Sequence, residues 1–541
     1  MTDQNLYVRG QNRDQLILFP GSIEEYIDED NAVRVVDSFV EGLDLENLGF
    51  NHCEPKGDGG RPSYDPRDML KLYLYGYLNC VRTSRKLERE SRRNVELMWL
   101  LKKVTPDHRT ISDFRKDNVD CIRKVFNEFV SICRSLDLIG GELVGIDGTK
   151  LKAVNSKNRN FNEEKLKYRI GRLEKHISEY LEEIGENDRK EEEERQQEPL
   201  SSAPSNPAVV AGAISSEERQ VSNPISRSSS SAAANEVAKN EIQKMEKKKL
   251  EYECVLKLLK ETGQGEVSFT DPESRLMKNN EKFEVCYNGQ IAVDSEKHLV
   301  VTYRVSNDAV DRNLLYVMAS AAKEAVCGTT AAMTTMKVMA DSAYYKFEEM
   351  KKCLDNGITP YVPETGKSGK FSGPDSVPKR GFYKDRFIYD KQRDSYTCPA
   401  GQRLPFKRWY TDSRTPKNTF KIYRTPQGTC NSCPYTAMCT KNEKLGRTII
   451  RWKDEEMIEQ LKATLKSPEG SKIAGKRKEL CEHPFGTIKR ALNQGYLLLK
   501  GLRKVDAEVG FSALAYDMRR TINILGVESL VGKLDMQLLG Q

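Results

Sequence analysis

The 541-residue sequence predicts a mixed α/β core, entered through an all-helical front module and interrupted by two insertions. Three observations lead there. Up to about residue 138 the apolar residues recur at helical spacing. Beyond it, short apolar strands alternate with helical stretches in the order strand, hairpin, helix, strand, helix, strand. Two segments break that texture, one charged and then rich in Ser, Ala and Pro, the other carrying clustered cysteines. The resulting organisation is a front module at 1–138 and a core at 139–530, with insertions at 155–265 and 370–450 and a tail at 531–541.

The front module reads as helices. In "RDMLKLYLYGYLN" Met69, Leu70, Tyr73, Leu74, Tyr77 and Leu78 share one helical face. "TPDHRTISDF" starts another helix, with Thr105 as N-cap and Pro106 in the first helical position. Between them "RTSRKLERESRRN" crowds Arg82, Arg85, Lys86, Arg89, Arg92 and Arg93 into one short stretch. A compact helical module with one basic helix is the build of helix-turn-helix DNA readers. A plain bundle with a charged surface reads the same way.

At Glu142 "GELVGIDGTKL" becomes a short apolar strand that ends at Asp147 and Gly148. Taken alone, that Asp-Gly pair reads as a turn. The first insertion follows: a charged amphipathic helix from Asn162, a coiled coil or one arm of a helical hairpin. The segment Pro199 to Asn235 lacks the apolar residues to build a core and reads as disordered, and a second helix then returns along the first. "KFEVCYNGQIAVDSEKHLVVTYRVS" alternates on both sides of the polar turn Asp294 to Lys297, which makes a β-hairpin, with Gly289 as a candidate bulge. A helix, the strand "MKVMAD" ending at Asp341, a helix stopped by Gly357 and the strand "ITPYVPE" complete the core pattern. Further helices include "DAEVGFSALAYDMRRTINIL".

Charge adds a partner class. The net charge is only +7, yet Lys56 to Lys124 holds 17 Lys and Arg against 10 Asp and Glu, and Lys441 to Lys504 holds 16 against 8. Two basic stretches on a slightly acidic background suit a protein that grips a polyanion at defined places. No apolar run approaches the roughly 20 residues that span a bilayer. The polar start and the 13 cysteines suit a reducing cytoplasm rather than a disulfide framework.

The motifs "GRPSYDPRDMLKLYLYGY", "TISDFRKDN", "GIDGTKLKA", "DPESRLMK", "YNGQIAVD", "MADSAYY" and "CEHPFGTIKR", in this order, give the chain a resemblance. It resembles bacterial insertion-sequence DDE transposases with a ribonuclease H-like core, in the subgroup with a Cys-rich insertion before the last acid. The resemblance implies an acidic triad of Asp147, Asp341 and Glu482 holding Mg²⁺ or Mn²⁺. Such ions prefer hard oxygen ligands and activate a nucleophile for phosphate-ester cleavage and joining. Lys489, seven residues past Glu482, is expected on the same helical face as a phosphate contact.

Arg82, Arg85, Lys86 and Arg89 in front, and Arg477, Lys478 and Arg490 beside the last acid, are the expected DNA contacts. Lys478 stands where the family usually has arginine, with Arg477 beside it, and Gly475 where it has tyrosine, so the resemblance leaves open whether ends are released through hairpins or by another route. Pro484 places Glu482 at a helix start or kink. The implied activity is binding of double-stranded transposon ends and target, followed by cutting and joining, by a homodimer in the bacterial cytoplasm. The rival from another class is an inactive relative that only binds DNA as a repressor, and Mg²⁺-dependent cleavage discriminates the two.

Cys398, Cys430, Cys433 and Cys439 form a second candidate set. Four soft ligands suit tetrahedral zinc or an iron–sulfur cluster, and free thiols are the third possibility. The intervening polar stretch, Arg403 to Gln427, is expected to need such a metal to hold its ends together, as a basic finger against flanking DNA.

Overall fold

The computed structural model describes residues 22–53, 63–155, 159–197, 231–263, 265–279, 281–328, 335–364, 382–412, 415–440 and 445–539. They form two compact units. One comprises Met1–Val154, Met277–Glu281 and Cys286–Gln541; the other comprises Asn155–Leu276 and Lys282–Val285.

The front of the first unit is helical, as the periodicity predicts: α1 (Val33–Glu41), α2 (Leu45–Leu48), α3 (Pro66–Leu78), α4 (Ser84–Ser91), α5 (Val95–Leu100), α6 (His108–Asp117) and α7 (Cys121–Ser135). Asp65 caps α3 by accepting from Arg67 N, with Pro66 in the first turn. This helix buries more than the expected face, since Lys71 and Leu72 are also enclosed. The Lys71 ammonium meets Asp37 at 2.6 Å and Glu41 at 2.5 Å, so its charge is compensated where water cannot reach it. The start of α6 differs from the expectation by two residues. Asp107, not Thr105, is the cap, accepting from Arg109 N and Thr110 N. Bonds from the Thr110 hydroxyl and these amides hold its carboxyl down at about 2.

β1 (Leu143–Lys152) opens the core. The second unit then begins: β2 (Asn160–Asn162), α8 (Glu163–Gln197), α9 (Ser231–Thr262) and β3 (Glu266–Ser268). Its two long helices are antiparallel, because Leu166 clusters with Leu259 while Glu174 pairs with Lys249 at 2.9 Å. The helical-hairpin reading therefore holds. Of the stretch expected to be disordered, 199–230 lies outside the described residues, but Ser231 onward is already helix α9.

The core sheet adds β4 (Arg275–Asn279), β5 (Lys282–Asp294), β6 (Val300–Ser306), β7 (Met336–Met339) and β8 (Ile358–Tyr361). Its order is β4-β5-β1-β7-β8, with β6 also on β5. β5 runs antiparallel to β1 and β6, whereas β7 is parallel to both β1 and β8. The hairpin is as expected, but its irregularity falls at Ala292/Val293 rather than at Gly289. Gly289 has a different reason: a Cβ there would lie 2.9 Å from Leu151 Cδ1.

The two faces of β1 pack against different layers, following the period of two along a strand. Val144 and Ile146 join α10 (Leu315–Cys327) and α11 (Phe347–Asp355) through Leu315, Met318, Ala319, Met350 and Cys353. Leu143 joins the opposite layer with Met339, Tyr361, Leu480 and Cys481.

The Cys-rich insertion folds as its own antiparallel sheet, β9 (Ile388–Asp390), β10 (Ser395–Thr397), β11 (Arg403–Asp412), β12 (Thr415–Arg424) and, after α12 (Thr436–Cys439), β13 (Thr448–Trp452). Phe382, Tyr396, Leu404, Tyr423 and Ile449 form its core. This corrects the expectation for Arg403 to Gln427. The stretch is a paired hairpin over an aromatic cluster and not an unstructured polar loop.

The chain closes with α13 (Glu455–Lys466), α14 (Pro468–Gly486), α15 (Leu502–Leu525) and α16 (Val527–Leu539). α15 joins front to core: Phe511 stacks on Tyr73 and Tyr77 at 5.4 and 5.0 Å. The expected tail is helix α16, where Asp535 accepts from Ser38 of α1 at 2.6 Å. Among the described residues no helix is long and apolar enough to cross a membrane.

Candidate active site

Register and parity bring two of the expected acids, Asp147 and Asp341, toward one place, and the helix that carries Glu482 covers that face of the sheet. Gly145 of β1 pairs in parallel with Met339 of β7. Two residues beyond that pair come Asp147 on one strand and Asp341 just past the end of the other. Asp147 shares the face of Leu143 and Gly145, the face that α14 covers. The helix comes close because position 145 has no side chain. A Cβ there would stand 2.9 Å from Cys481 Sγ and 3.5 Å from Leu480 Cβ. Glu482 follows Cys481 and is exposed.

Local hydrogen bonds orient the two aspartates. Asp147 Oδ1 accepts from Gly148 N at 2.8 Å. Asp341 caps a one-turn 3₁₀ helix, Ser342–Tyr344, accepting from Ala343 N at 2.6 Å. Burial pushes the Asp147 carboxyl up to about 6; the Gly148 amide and Arg477 oppose the shift, while the negative charges of Asp341 and Asp311 add to it. Asp147-Gly148 is thus a mid-strand pair and not a turn, because β1 continues through it to Lys152.

Glu482 lies in the body of α14, and Pro484 sits inside that helix rather than marking its start. A π turn, Thr487–Ala491, follows directly and carries Lys489. The Lys489 ammonium reaches β1, donating to Lys150 O at 3.2 Å, and burial holds its pKa below the usual lysine value. His483, adjacent to Glu482, is in hydrogen-bond contact with Tyr516 Oη at 3.1 Å, which fits a packing role.

The expected basic contacts divide. Arg85, Lys86 and Arg89 are exposed on α4, as is Arg490 beyond the π turn. Arg477 is half-buried, one turn before Cys481, and its charge acts on Asp147. The Lys478 side chain lies outside what is described. Arg82 is a correction. It is 5% exposed, pairs with the equally buried Glu508 at 3.3 Å, and donates at 3.0 Å to the carbonyls of Asn493 and Tyr496. A guanidinium with those partners belongs to the fold and not to a DNA surface.

Sequence reasoning missed Asp311, Gln290 and Tyr344, which lie beside the aspartates. The available signal was the pair Asn288 and Gln290, two amides at alternate positions of an otherwise apolar strand.

The four cysteines converge as well. Cys398, Cys430, Cys433 and Cys439 line one small pocket in the Cys-rich unit. Gln402 N donates to Cys398 Sγ at 3.3 Å, and Thr425 Oγ1 lies 3.4 Å from Cys430 Sγ. Burial raises the Cys439 thiol pKa, and the other three sulfurs contribute. Among the described residues, neither the acids nor the thiols form a group of three His, Cys, Asp or Glu side chains already drawn together as metal ligands. The donor types nonetheless suit their ions. Mg²⁺ needs only one or two protein carboxylates, with phosphate oxygens and waters completing its shell, and thiolates suit zinc.

Two family models match the chain. A transposase domain matches residues 21–117, and a transposase DDE domain, of a class that generally uses divalent metal ions, matches residues 397–522. No curated protein matches. Among solved structures, the cryo-EM structure of a piggyBac transposase synaptic complex with hairpin DNA is similar at 10% identity and a TM-score of 0.29. That match covers 94% of this chain and 79% of the other, a likeness too distant to bear on the site.

Proposed function

We propose, from the premise that the two matched domains make this chain an insertion-sequence DDE transposase, that it binds the inverted repeats at the ends of its element and cuts and joins DNA strands there with Mg²⁺ or Mn²⁺. The observation that carries this reading is the convergence of Asp147 and Asp341, each two residues past the last parallel pair of β1 and β7, beside the face covered by the helix of Glu482. The strand order, an antiparallel group β6-β5-β1 extended by parallel β7 and β8, supports the ribonuclease H-like reading of the core.

In this reading Asp147 and Asp341 present carboxylate oxygens to the metal side of the scissile phosphate, and Glu482 closes on it from α14. When bound, the divalent ions activate water or a 3′-hydroxyl and stabilise the leaving oxygen. Lys489, tethered to the Lys150 carbonyl, holds a phosphate beside Asp147. Arg477 draws the substrate backbone toward the same place while limiting the repulsion between the aspartates. Arg85, Lys86 and Arg89 on α4 grip the DNA end in front. A second copy of the chain pairs the other end. The four cysteines serve as ligands of a structural zinc ion or iron–sulfur cluster, supported by their shared pocket and by the Gln402 amide aimed at Cys398 Sγ.

The test is cleavage of a duplex carrying the element's own end. Asp147→Asn, Asp341→Asn and Glu482→Gln should each abolish Mg²⁺-dependent cleavage and leave end-binding in EDTA intact. A chain that binds the ends but never cleaves them, with or without these changes, would be the repressor instead.

A further inference from the structure

Gly148 is glycine for a reason that lies across the sheet. It faces Gln290 of β5 in the antiparallel register. A Cβ at 148 would fall 2.1 Å from Gln290 Nε2, 2.9 Å from its Cδ and 3.1 Å from Tyr344 Oη. No rotamer shift of a surface chain relieves that, because Gln290 and Tyr344 are 0% and 1% exposed. The residue beside Asp147 therefore has no side chain so that a buried amide can cross there.

The crossing amide is held in one orientation. The Tyr344 hydroxyl donates to Gln290 Oε1. Gln290 Nε2 donates to Asn288 Oδ1 at 2.9 Å and to Asp311 Oδ1 at 2.8 Å. Asn288 Nδ2 donates to the same Asp311 oxygen at 2.6 Å and to Asp308 O at 3.1 Å, and Lys150 Nζ approaches that oxygen at 3.4 Å. A carboxylate only accepts, so it faces the amide nitrogen and leaves the amide oxygen for the tyrosine. Flipping the amide would break all three of its bonds.

One end of this chain of bonds is the turn that carries Asp341. Tyr344 is the last residue of the 3₁₀ helix Ser342–Tyr344, which Asp341 caps, and Tyr344 N donates to Asp341 O at 3.2 Å. The other end is the strand paired with β1 beside Asp147. The brace lies on the face of Val144 and Ile146, opposite the face that presents Asp147 to α14.

We propose that Gln290 and Tyr344 are positioning residues that fix the spacing between the Asp147 and Asp341 carboxylates from behind the sheet, so that the pair is set for divalent ions before DNA arrives. This rests on the reading of those aspartates as metal-holding groups. Two like charges on adjacent strands, one within β1 and one just past β7, repel, and a buried brace anchored to β5 resists their separation. Groups that orient metal ligands from one shell out typically change metal affinity or activity about 10–100-fold when removed.

Tyr344→Phe cuts the brace at a single bond and keeps the buried ring. In the full chain it should weaken Mn²⁺ binding, read by electron paramagnetic resonance on the protein alone, by about tenfold. The Mg²⁺ concentration for half-maximal cleavage of the element-end duplex should rise by a similar factor. Melting temperature and end-binding in EDTA should stay near those of the parent. Gln290→Met, which keeps the length and loses the amide, should produce the same pattern should Tyr344→Phe fold poorly. Parent-like Mn²⁺ binding and Mg²⁺ dependence in the folded variants would overturn the proposal. So would a loss of activity that only tracks lost stability at an unchanged Mg²⁺ requirement. Asp147→Asn separates the two levels. If it loses Mn²⁺ and cleavage while Tyr344→Phe keeps both, only the brace fails; if it keeps both, the metal reading itself fails.

Discussion

Arg82→Met should destabilise the protein without weakening its hold on DNA. The Arg82 guanidinium pairs with Glu508, reaches two carbonyls of the segment that follows Lys489, and lies 4.6 Å over the Tyr496 ring. Glu508 accepts from Leu498 N and Leu499 N at 2.9 to 3.0 Å. The α3–α4 connection, α15 and the segment that leads into α15 are thereby clasped together. Asn493 and Tyr496 are exposed, so their carbonyls can turn to water when the arginine goes. Glu508, 1% exposed, cannot. Removing one partner of a buried pair costs about 3–5 kcal/mol, and the retained amides place this case near 3 kcal/mol.

The pH dependence follows in sign. Burial already raises the Glu508 pKa, and loss of Arg82 raises it further. A raised folded-state pKa means that protonation favours the native state. The deficit of Arg82→Met should therefore be largest above that pKa and shrink as pH falls toward the acid range. Arg82→Met with Glu508→Gln should recover part of the loss, since the buried charge is gone. Urea unfolding of the three proteins across pH, with end-binding measured in parallel, decides it. Unchanged stability together with weaker, less salt-dependent DNA binding would refute the reasoning and return Arg82 to the DNA surface.

Changing Arg85, Lys86 and Arg89 together to Ala should weaken end-binding and flatten its log–log salt slope by up to about 2.7, at roughly 0.9 per phosphate contact; an unchanged slope in a folded protein would move recognition elsewhere. Gly145→Ala should force α14 off β1, because its Cβ would stand 2.9 Å from Cys481 Sγ. A cost of about 1–3 kcal/mol and a fall in cleavage with intact end-binding are expected, and parent-like cleavage would show that the position of α14 is not critical. Cys433→Ser should release any zinc or iron found by elemental analysis of the purified protein. The sheet should survive on its aromatic core, with β11 and β12 still protected in hydrogen exchange. Parent protein free of both metals would leave four ordinary thiols.

Much of this protein was legible in order along the chain. Helical spacing located α3, alternation located the β5–β6 hairpin, and the acids stood out once their motifs were taken together with their neighbours. Those signals are local, since a period of 3.6 or 2 needs only the residues of one element. The sequence also marked the cysteines as a set, because residue type and spacing suffice for that. It did not separate Arg82 from Arg85: both are arginines in one basic stretch, and only the packing of α15 buries the first against Glu508. It read Arg403 to Gln427 as a polar loop, since strands that pair through backbone bonds need few apolar residues of their own. Asp-Gly at 147–148 looked like a turn because the reason for that glycine, the amide of Gln290, is supplied by a strand more than a hundred residues away. Element type and candidate chemistry were thus determined by neighbours in sequence. Which cations face solvent, and what stands behind the aspartates, were decided by neighbours in space.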